Sequence, residues 1–212
     1  MGIMDWFGRG DDPEKLLDKA VRLYDSGKYG EAADVLRKAA DMGYAPAQNN
    51  LGYMYEAGRG VDRDLGIAEA LYRKAADQDY TAGIYNLALC RFVHEEVRDY
   101  ASAFELFSRA YDRSMKGCAY YLGLCYLHGY GTEPDPEKCL AMLREASDYT
   151  RTESSGEERY AAPLLLARIY DEGMLAERDG ELAVKWYEIA AIRGSRVAED
   201  RLRELGAERL FR

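Results

Sequence analysis

The chain has 212 residues, with 29 Lys or Arg against 38 Asp or Glu and a formal net charge of −9. An acidic chain without a local Lys/Arg block lacks the clustered cations that phosphate backbones require, so nucleic-acid partners are not expected. Apolar residues make up 48% and charged residues 32%, with 5 prolines, which argues for one folded domain or one elongated array and against disorder.

Residues 1–11 read as an N-terminal extension. Met1–Gly10 has no basic n-region and no apolar stretch of signal-peptide length, so a cytoplasmic location is expected. Trp6 occupies the position where a myristoylation signal needs Ser or Thr. Trp6 and Phe7 suit either insertion into a membrane surface or packing over the start of the first helix. The most apolar run, Ala161–Ala167, is too short to cross a bilayer.

From Asp12 onward the chain repeats. Leu51-Gly52, Leu87-Ala88, Leu122-Gly123 and Leu166-Ala167 form one anchor, and Ala75, Ala110, Ala146 and Ala190 form a second. The anchors lie 24, 23, 24 and 24 residues apart within a repeat, and the repeats follow one another at 36, 35 and 44 residues. The longer last interval falls on Tyr149–Arg159, a polar, Ser-rich run read as a protruding loop and as the most mobile internal segment. The units are 12–44, 45–80, 81–115, 116–159 and 160–194, and each reads as two helices. In the second, Ala47, Leu51, Met54 and Tyr55 keep helical spacing, as do Ala68, Leu71, Tyr72, Ala75 and Ala76. Gly58-Arg59-Gly60-Val61 ends the first helix, and Asp64 is placed to cap the second. Pro13, Pro46, Pro136 and Pro163 lie at or near predicted helix starts. The first unit has a tighter turn at Asp25–Tyr29, and its first helix has a register ambiguous by one residue. In the third unit Arg91–Arg98 replaces the Tyr and the Gly loop, so its first helix is expected to run on. Residues 195–205 form a lone amphipathic helix with Val197, Leu202 and Leu205 on its apolar side, suited to capping the array, and 206–212 are a tail.

These motifs resemble the Sel-1-like repeat family, kin of the tetratricopeptide repeats. The second unit carries Ala47, Leu51-Gly52, Tyr55, Gly58-Arg59-Gly60-Val61, Asp64, Leu71-Tyr72 and Lys74-Ala75-Ala76. The fourth carries Leu122-Gly123, Tyr126 and Gly129-Tyr130-Gly131. The fifth carries Tyr170, Gly173, Asp179, Trp186-Tyr187, Ala190-Ala191 and Gly194. The resemblance implies an all-α fold, a right-handed α/α solenoid of about five helix-turn-helix repeats plus a C-terminal capping helix. It also implies a non-catalytic adaptor or scaffold whose partner is a protein or peptide.

Chemical sites are not prominent. Gly58/Gly60 and Gly129/Gly131 follow helices, at the carbonyl end, whereas a phosphate loop delivers its amides to a helix N-terminus. Cys118 and Cys125 are seven residues apart on one helix, a rise of about 10 Å and out of disulfide reach. Cys90 and Cys125 hold the same repeat position and read as reduced core fillers; Cys139 stands where other units place Ala32, Ala68 and Ala183. Cys118, Cys125, His128 and Cys139 raise a zinc reading, since Cys125 and His128 are one turn apart, but Cys118 and Cys139 do not converge on them. No metal or cofactor is therefore expected. With only His94 and His128 available, no nucleophilic triad has a supported base. Secreted relatives with regular cysteine pairs have been linked to β-lactam binding; this chain lacks that pairing, so a hydrolase-like enzyme is the least favoured reading.

In tetratricopeptide-like stacks the first helices line a concave groove. The resemblance places Asn49, Tyr53, Glu56, Tyr85, Leu89, Phe92, Tyr120, Leu124, Leu127, Leu164, Arg168 and Asp171 there. Tyr85, Leu89, Phe92, Tyr120, Leu124 and Leu127 would make an apolar floor for a partner segment, with polar ends. The alternatives are that neighbouring repeats cover these side chains, or that the protein is an immunity-type inhibitor that clamps a folded partner with its acidic face.

Overall fold

The computed structural model describes residues 12–153 and 158–207, and among these the chain forms eleven α-helices and no strand. The N-terminal extension with Trp6 and Phe7, and residues 208–212 of the tail, lie outside the described residues. The helices are α1 (Pro13–Asp25), α2 (Tyr29–Asp41), α3 (Ala45–Ala57), α4 (Leu65–Ala76), α5 (Thr81–Val93), α6 (Tyr100–Asp112), α7 (Cys118–His128), α8 (Pro136–Glu153), α9 (Glu158–Glu172), α10 (Gly180–Ile192) and α11 (Arg196–Glu204). This is the expected all-α class: five helix pairs followed by one terminal helix. Two compact units divide the chain after Ala110, close to the end of α6.

The recurring dipeptide explains how each pair closes. The leucine anchors Leu51, Leu87, Leu122 and Leu166 are buried, each contributing about 2 kcal/mol relative to exposure. The glycine beside two of them is a contact surface. A Cβ on Gly52 would lie 2.8 Å from the Tyr72 ring, and one on Gly123 would lie 2.8 Å from Leu143. The missing side chain therefore admits a large residue from the second helix of the pair. The second anchor is equally buried at Ala75, Ala110, Ala146 and Ala190. In the first unit the core gathers Ala20, Ala32, Leu36, Ala47, Leu51 and Met54. In the second it gathers Leu143, Leu166, Ile169, Tyr187 and Leu202.

The turns follow one scheme. Gly58 and Gly129 adopt left-handed backbone at the ends of α3 and α7, and an Asp then caps the next helix. Asp64 Oδ1 accepts from the Ile67 amide at 2.9 Å, Asp135 from Lys138 at 3.0 Å and Asp179 from Leu182 at 2.9 Å. The amide of the capping Asp also donates back to the preceding helix: Asp64 to Tyr55 O, Asp135 to Tyr126 O and Asp179 to Tyr170 O.

Four sequence expectations need correction. The first helix of the third repeat does not run on: α5 stops at Val93, and Glu95–Val97 form a 3₁₀ turn. His94 leaves the helix in extended backbone, with Nε2 2.7 Å from Glu56 Oε1. Asp99 then closes the loop onto Arg91 O and caps Ser102, so the Asp scheme survives in a loop one residue shorter. The run read as a loop at Tyr149–Arg159 is helical at both ends. α8 continues to Glu153 and α9 begins at Glu158, which leaves Pro163 inside a helix rather than at its start. In α11 the buried face is Ala198 and Leu202, whereas Val197 and Leu205 are exposed.

Candidate protein-binding surface

In the first unit, α1 and α3 enclose a cavity of about 180 Å³ lined by Ala20, Val21, Tyr24, Leu36, Asn50, Tyr53 and Met54. Positions 20, 21 and 24 share one face of α1, and 50, 53 and 54 share one face of α3, by helical spacing. Val21 is 44% exposed and Tyr53 43%, so apolar surface faces solvent at the mouth. Beside it stands Arg59, from the loop after α3. Its Nη1 donates to the Tyr24 hydroxyl, and its guanidinium lies 5.6 Å from the Tyr24 ring, 5.9 Å from Tyr29 and 5.8 Å from Tyr53. Tyr24 and Tyr29 meet edge to face at 4.9 Å. The loop is seated by Gly60, whose backbone rests on α2: a Cβ there would fall 2.3 Å from Tyr29 C and 2.6 Å from the Gly30 amide nitrogen. Sequence reading pointed to Tyr53 but not to the rest. The ambiguous register of α1 hid Val21 and Tyr24, and Arg59 stands at a variable place in the loop motif.

The twelve residues assigned to the groove divide into three kinds. Those five places after the leucine anchor turn toward the second helix of their own pair. Tyr72 donates its hydroxyl to Glu56 at 2.6 Å, and Tyr187 donates to Asp171 at 3.2 Å. Phe92 packs edge-on against the fully buried Phe107 at 5.8 Å and against Tyr100 at 5.4 Å. Leu127 packs on the core that contains Leu143. Position by position, an acid meets a tyrosine and an apolar residue meets an apolar one. Burial, and then the Glu56 carboxylate, push the Tyr72 hydroxyl well above its usual range; burial and Asp171 push Tyr187 up to about 12. Asp171 also accepts from Arg201 Nε at 2.8 Å, which ties α11 to α9 and holds the carboxyl below its ordinary value.

Asn49 is buried and accepts from Asn86 Nδ2 at 2.9 Å. Tyr85, Leu89, Tyr120, Leu124 and Leu164 are half-buried, with Tyr85 edge-on to Phe107 at 6.1 Å and Leu164 packed on the second core. Burial raises the Tyr120 hydroxyl. Tyr53 and Arg168 are exposed, and Arg168 reaches Glu172 at 3.2 Å. Tyr85, Leu89 and Phe92 belong to the first unit, and Tyr120, Leu124 and Leu127 to the second. The second unit has a separate cavity, lined in part by Trp186, Ile189 and Ile192, with Ile192 70% exposed.

All four cysteines are buried and unpaired with one another. Burial pushes Cys90, Cys118 and Cys125 up to about 12, and burial with Asp135 pushes Cys139 up to about 11. Among the described residues no three His, Cys, Asp or Glu side chains gather around a point where a metal ion would fit, and no helix is long and apolar enough to cross a membrane.

Helix pairs with a Leu-Gly anchor, a glycine loop and an Asp cap define a helical-repeat protein. The family model for the Sel1 repeat matches residues 45–80, 81–115, 117–148 and 162–195, which together are more than half of the chain, and the chain belongs to that family. The pair α1–α2 precedes the matched segments. DAP3-binding cell death enhancer 1 of Mus musculus is 32% identical over 187 residues, 85% of this chain and 34% of that protein. The Sel1 repeat protein from Oxalobacter formigenes superposes with a TM-score of 0.69 at 25% identity, over 86% of this chain and 72% of that one. The c5321 protective antigen of uropathogenic Escherichia coli, which displays an SLR fold, superposes with a TM-score of 0.68 at 30% identity, over 80% of this chain and 35% of that one. The chain thus spans about a third of the length of the mouse relative. Sel1 repeat proteins generally mediate protein–protein interaction, and their solenoid fold is typically a non-catalytic module.

Proposed function

We propose that this chain is a non-catalytic adaptor or scaffold that holds a segment of a protein partner against the first helices of its repeats. The observation that supports this reading most is the cavity between α1 and α3, where Val21 and Tyr53 leave apolar surface open beside a preformed hollow. Small-molecule pockets usually measure about 300–1,000 Å³. A hollow of about 180 Å³ suits one large apolar side chain of a peptide instead. Because α1 and α3 already hold its walls, little ordering is needed on binding. Tyr85 and Leu89 in the first unit, and Tyr120, Leu124, Leu164 and Arg168 in the second, are proposed as further contacts within their own units. Asn49, Glu56, Phe92, Leu127 and Asp171 act by setting the position of the helices that carry those contacts, since each is engaged internally.

The test is binding of display-selected peptides to the whole chain and to Tyr53→Ala. Loss of an aromatic anchor from the cavity mouth should weaken binding at least about tenfold, the equivalent of 1.4 kcal/mol. Ile192→Ser, on the second unit's α10, should leave affinity unchanged. Unchanged affinity for Tyr53→Ala with a loss for Ile192→Ser would move the binding surface to α10.

A further inference from the structure

Arg59 is an exposed arginine held by tyrosines. One donor goes to the Tyr24 hydroxyl, and three tyrosine rings lie within 6 Å of its guanidinium. A guanidinium carries five N–H donors in a fixed plane. Apart from the bond to Tyr24, no side chain among the described residues accepts from it, and no described carboxylate pairs with it. Other arginines of the chain do take a carboxylate, as Arg37 does with Asp34 and Arg73 with Glu69. The loop that carries it is pinned by the close approach of Gly60 to Tyr29 and Gly30. The long side chain is thus ordered before any ligand arrives, which removes much of the entropy that an exposed ion pair ordinarily costs. Two of the three rings, Tyr24 and Tyr53, also line the α1–α3 cavity, so the cation and the apolar hollow are one site.

The geometry points to a specific ligand chemistry: a peptide segment with an Asp or Glu beside a large apolar residue, the apolar side chain entering the cavity and the carboxylate pairing with Arg59. This rests on the peptide-binding reading above and names its partner class. A carboxylate fits the planar donor fork and a neutral amide does so less well. An acidic side chain is favoured over a chain terminus by the backbone. Capture of a terminal carboxylate uses several free amides in a nest, but the Arg59 amide already donates to Met54 O at 2.9 Å.

The test is selection of peptides from a random display library against the immobilised whole chain, run in parallel on the unaltered protein and on Arg59→Gln. Both are first shown to share one circular-dichroism melt, as expected for an exposed side chain. Peptides selected on the unaltered chain should be enriched in Asp or Glu next to Leu, Ile, Met or Phe. Arg59→Gln should keep the apolar preference and lose the acidic one. A selected peptide, synthesised with both ends blocked, should weaken about fivefold on Glu→Gln in the unaltered chain and not at all in Arg59→Gln. Enrichment of Lys or Arg, an acidic preference that survives Arg59→Gln, or binding only by peptides with a free C-terminus would overturn the assignment while leaving the peptide-binding reading intact. Failure to select any peptide that depends on Tyr53 would overturn both.

Discussion

Gly60→Ala is the substitution for which the structure predicts the largest effect from one methyl group. Gly60 has φ +73°, and an added Cβ would sit 2.3 Å from Tyr29 C, 2.4 Å from Tyr29 O and 2.6 Å from Gly30 N. Left-handed backbone costs a residue with a Cβ about 1–2 kcal/mol. The overlap is with backbone of α2 and cannot be relieved by a rotamer change, so the loop or the helix start must move, adding about 1–3 kcal/mol. Gly27 supplies the control: its φ is +76°, but a Cβ there meets nothing within 4 Å, so Gly27→Ala isolates the backbone term. Urea unfolding followed by circular dichroism should therefore give a loss of about 1–2 kcal/mol for Gly27→Ala and about 2–5 kcal/mol for Gly60→Ala. Because the same contact seats Arg59 among its tyrosines, peptide affinity should also fall in Gly60→Ala under conditions where the chain is still folded, and not in Gly27→Ala. Equal losses for the two variants would refute the close approach of this loop to α2 and, with it, the preordering of Arg59.

Three further outcomes are expected. Asp171→Asn should cost about 1–3 kcal/mol at pH 7, since it removes charge-assisted bonds from Arg201 and Tyr187. The Asp171 carboxyl is held below its ordinary value, so this contribution is complete above about pH 5 and is lost as pH falls through about 3.9 and below. The unaltered chain should accordingly lose more urea resistance between pH 5 and pH 3 than Asp171→Asn does, and parallel pH profiles would contradict the linkage. The native thiols should react with a disulfide reagent at pH 8 no faster than the chain unfolds, because burial raises Cys90, Cys118 and Cys125 to about 12; denaturation should release four free thiols, with no stoichiometric zinc by elemental analysis. Phe92→Ala should cost about 2–3 kcal/mol of stability through its contact with Phe107, whereas Tyr53→Ala, at an exposed position, should cost under about 1 kcal/mol; equal costs would return Phe92 to the free surface.

Much of the fold was legible because its signals are local. Leucine anchors, glycine exits and Asp caps each act within a few residues, so the alternation of helix and turn can be read from them. The third loop defeats local reading: Arg91–Arg98 suggests a helix that runs on, whereas α5 stops at Val93 and His94 reaches Glu56 across 38 residues. The polar run after Asp148 shows that polarity alone does not make a loop: Tyr149–Glu153 contains neither Gly nor Pro, so nothing in it breaks a helix. The groove assignment meets a different limit. Helical spacing shows that positions share a face but not what that face meets. Glu56 with Tyr72 and Asp171 with Tyr187, against Phe92 with Phe107, were readable as matched pairs once the two helices of each repeat were set against one another. The tyrosine-held Arg59 is beyond local reading, since Tyr24, Tyr29, Tyr53 and Arg59 come from two helix pairs that only the packing of α1 and α2 against α3 and its loop brings together.

The central claim is that a partner segment enters the α1–α3 cavity of the first unit, and methyl-resolved NMR of the whole chain during titration with a display-selected peptide tests it most directly. Val21 and Met54 line the cavity, and Ile189 and Ile192 line the one in the second unit. The account predicts saturable shifts at the Val21 and Met54 methyls, absent in Tyr53→Ala, with the isoleucine methyls of α10 unmoved. Shifts confined to Ile189 and Ile192, or saturable binding that leaves Val21 and Met54 unmoved, would contradict it.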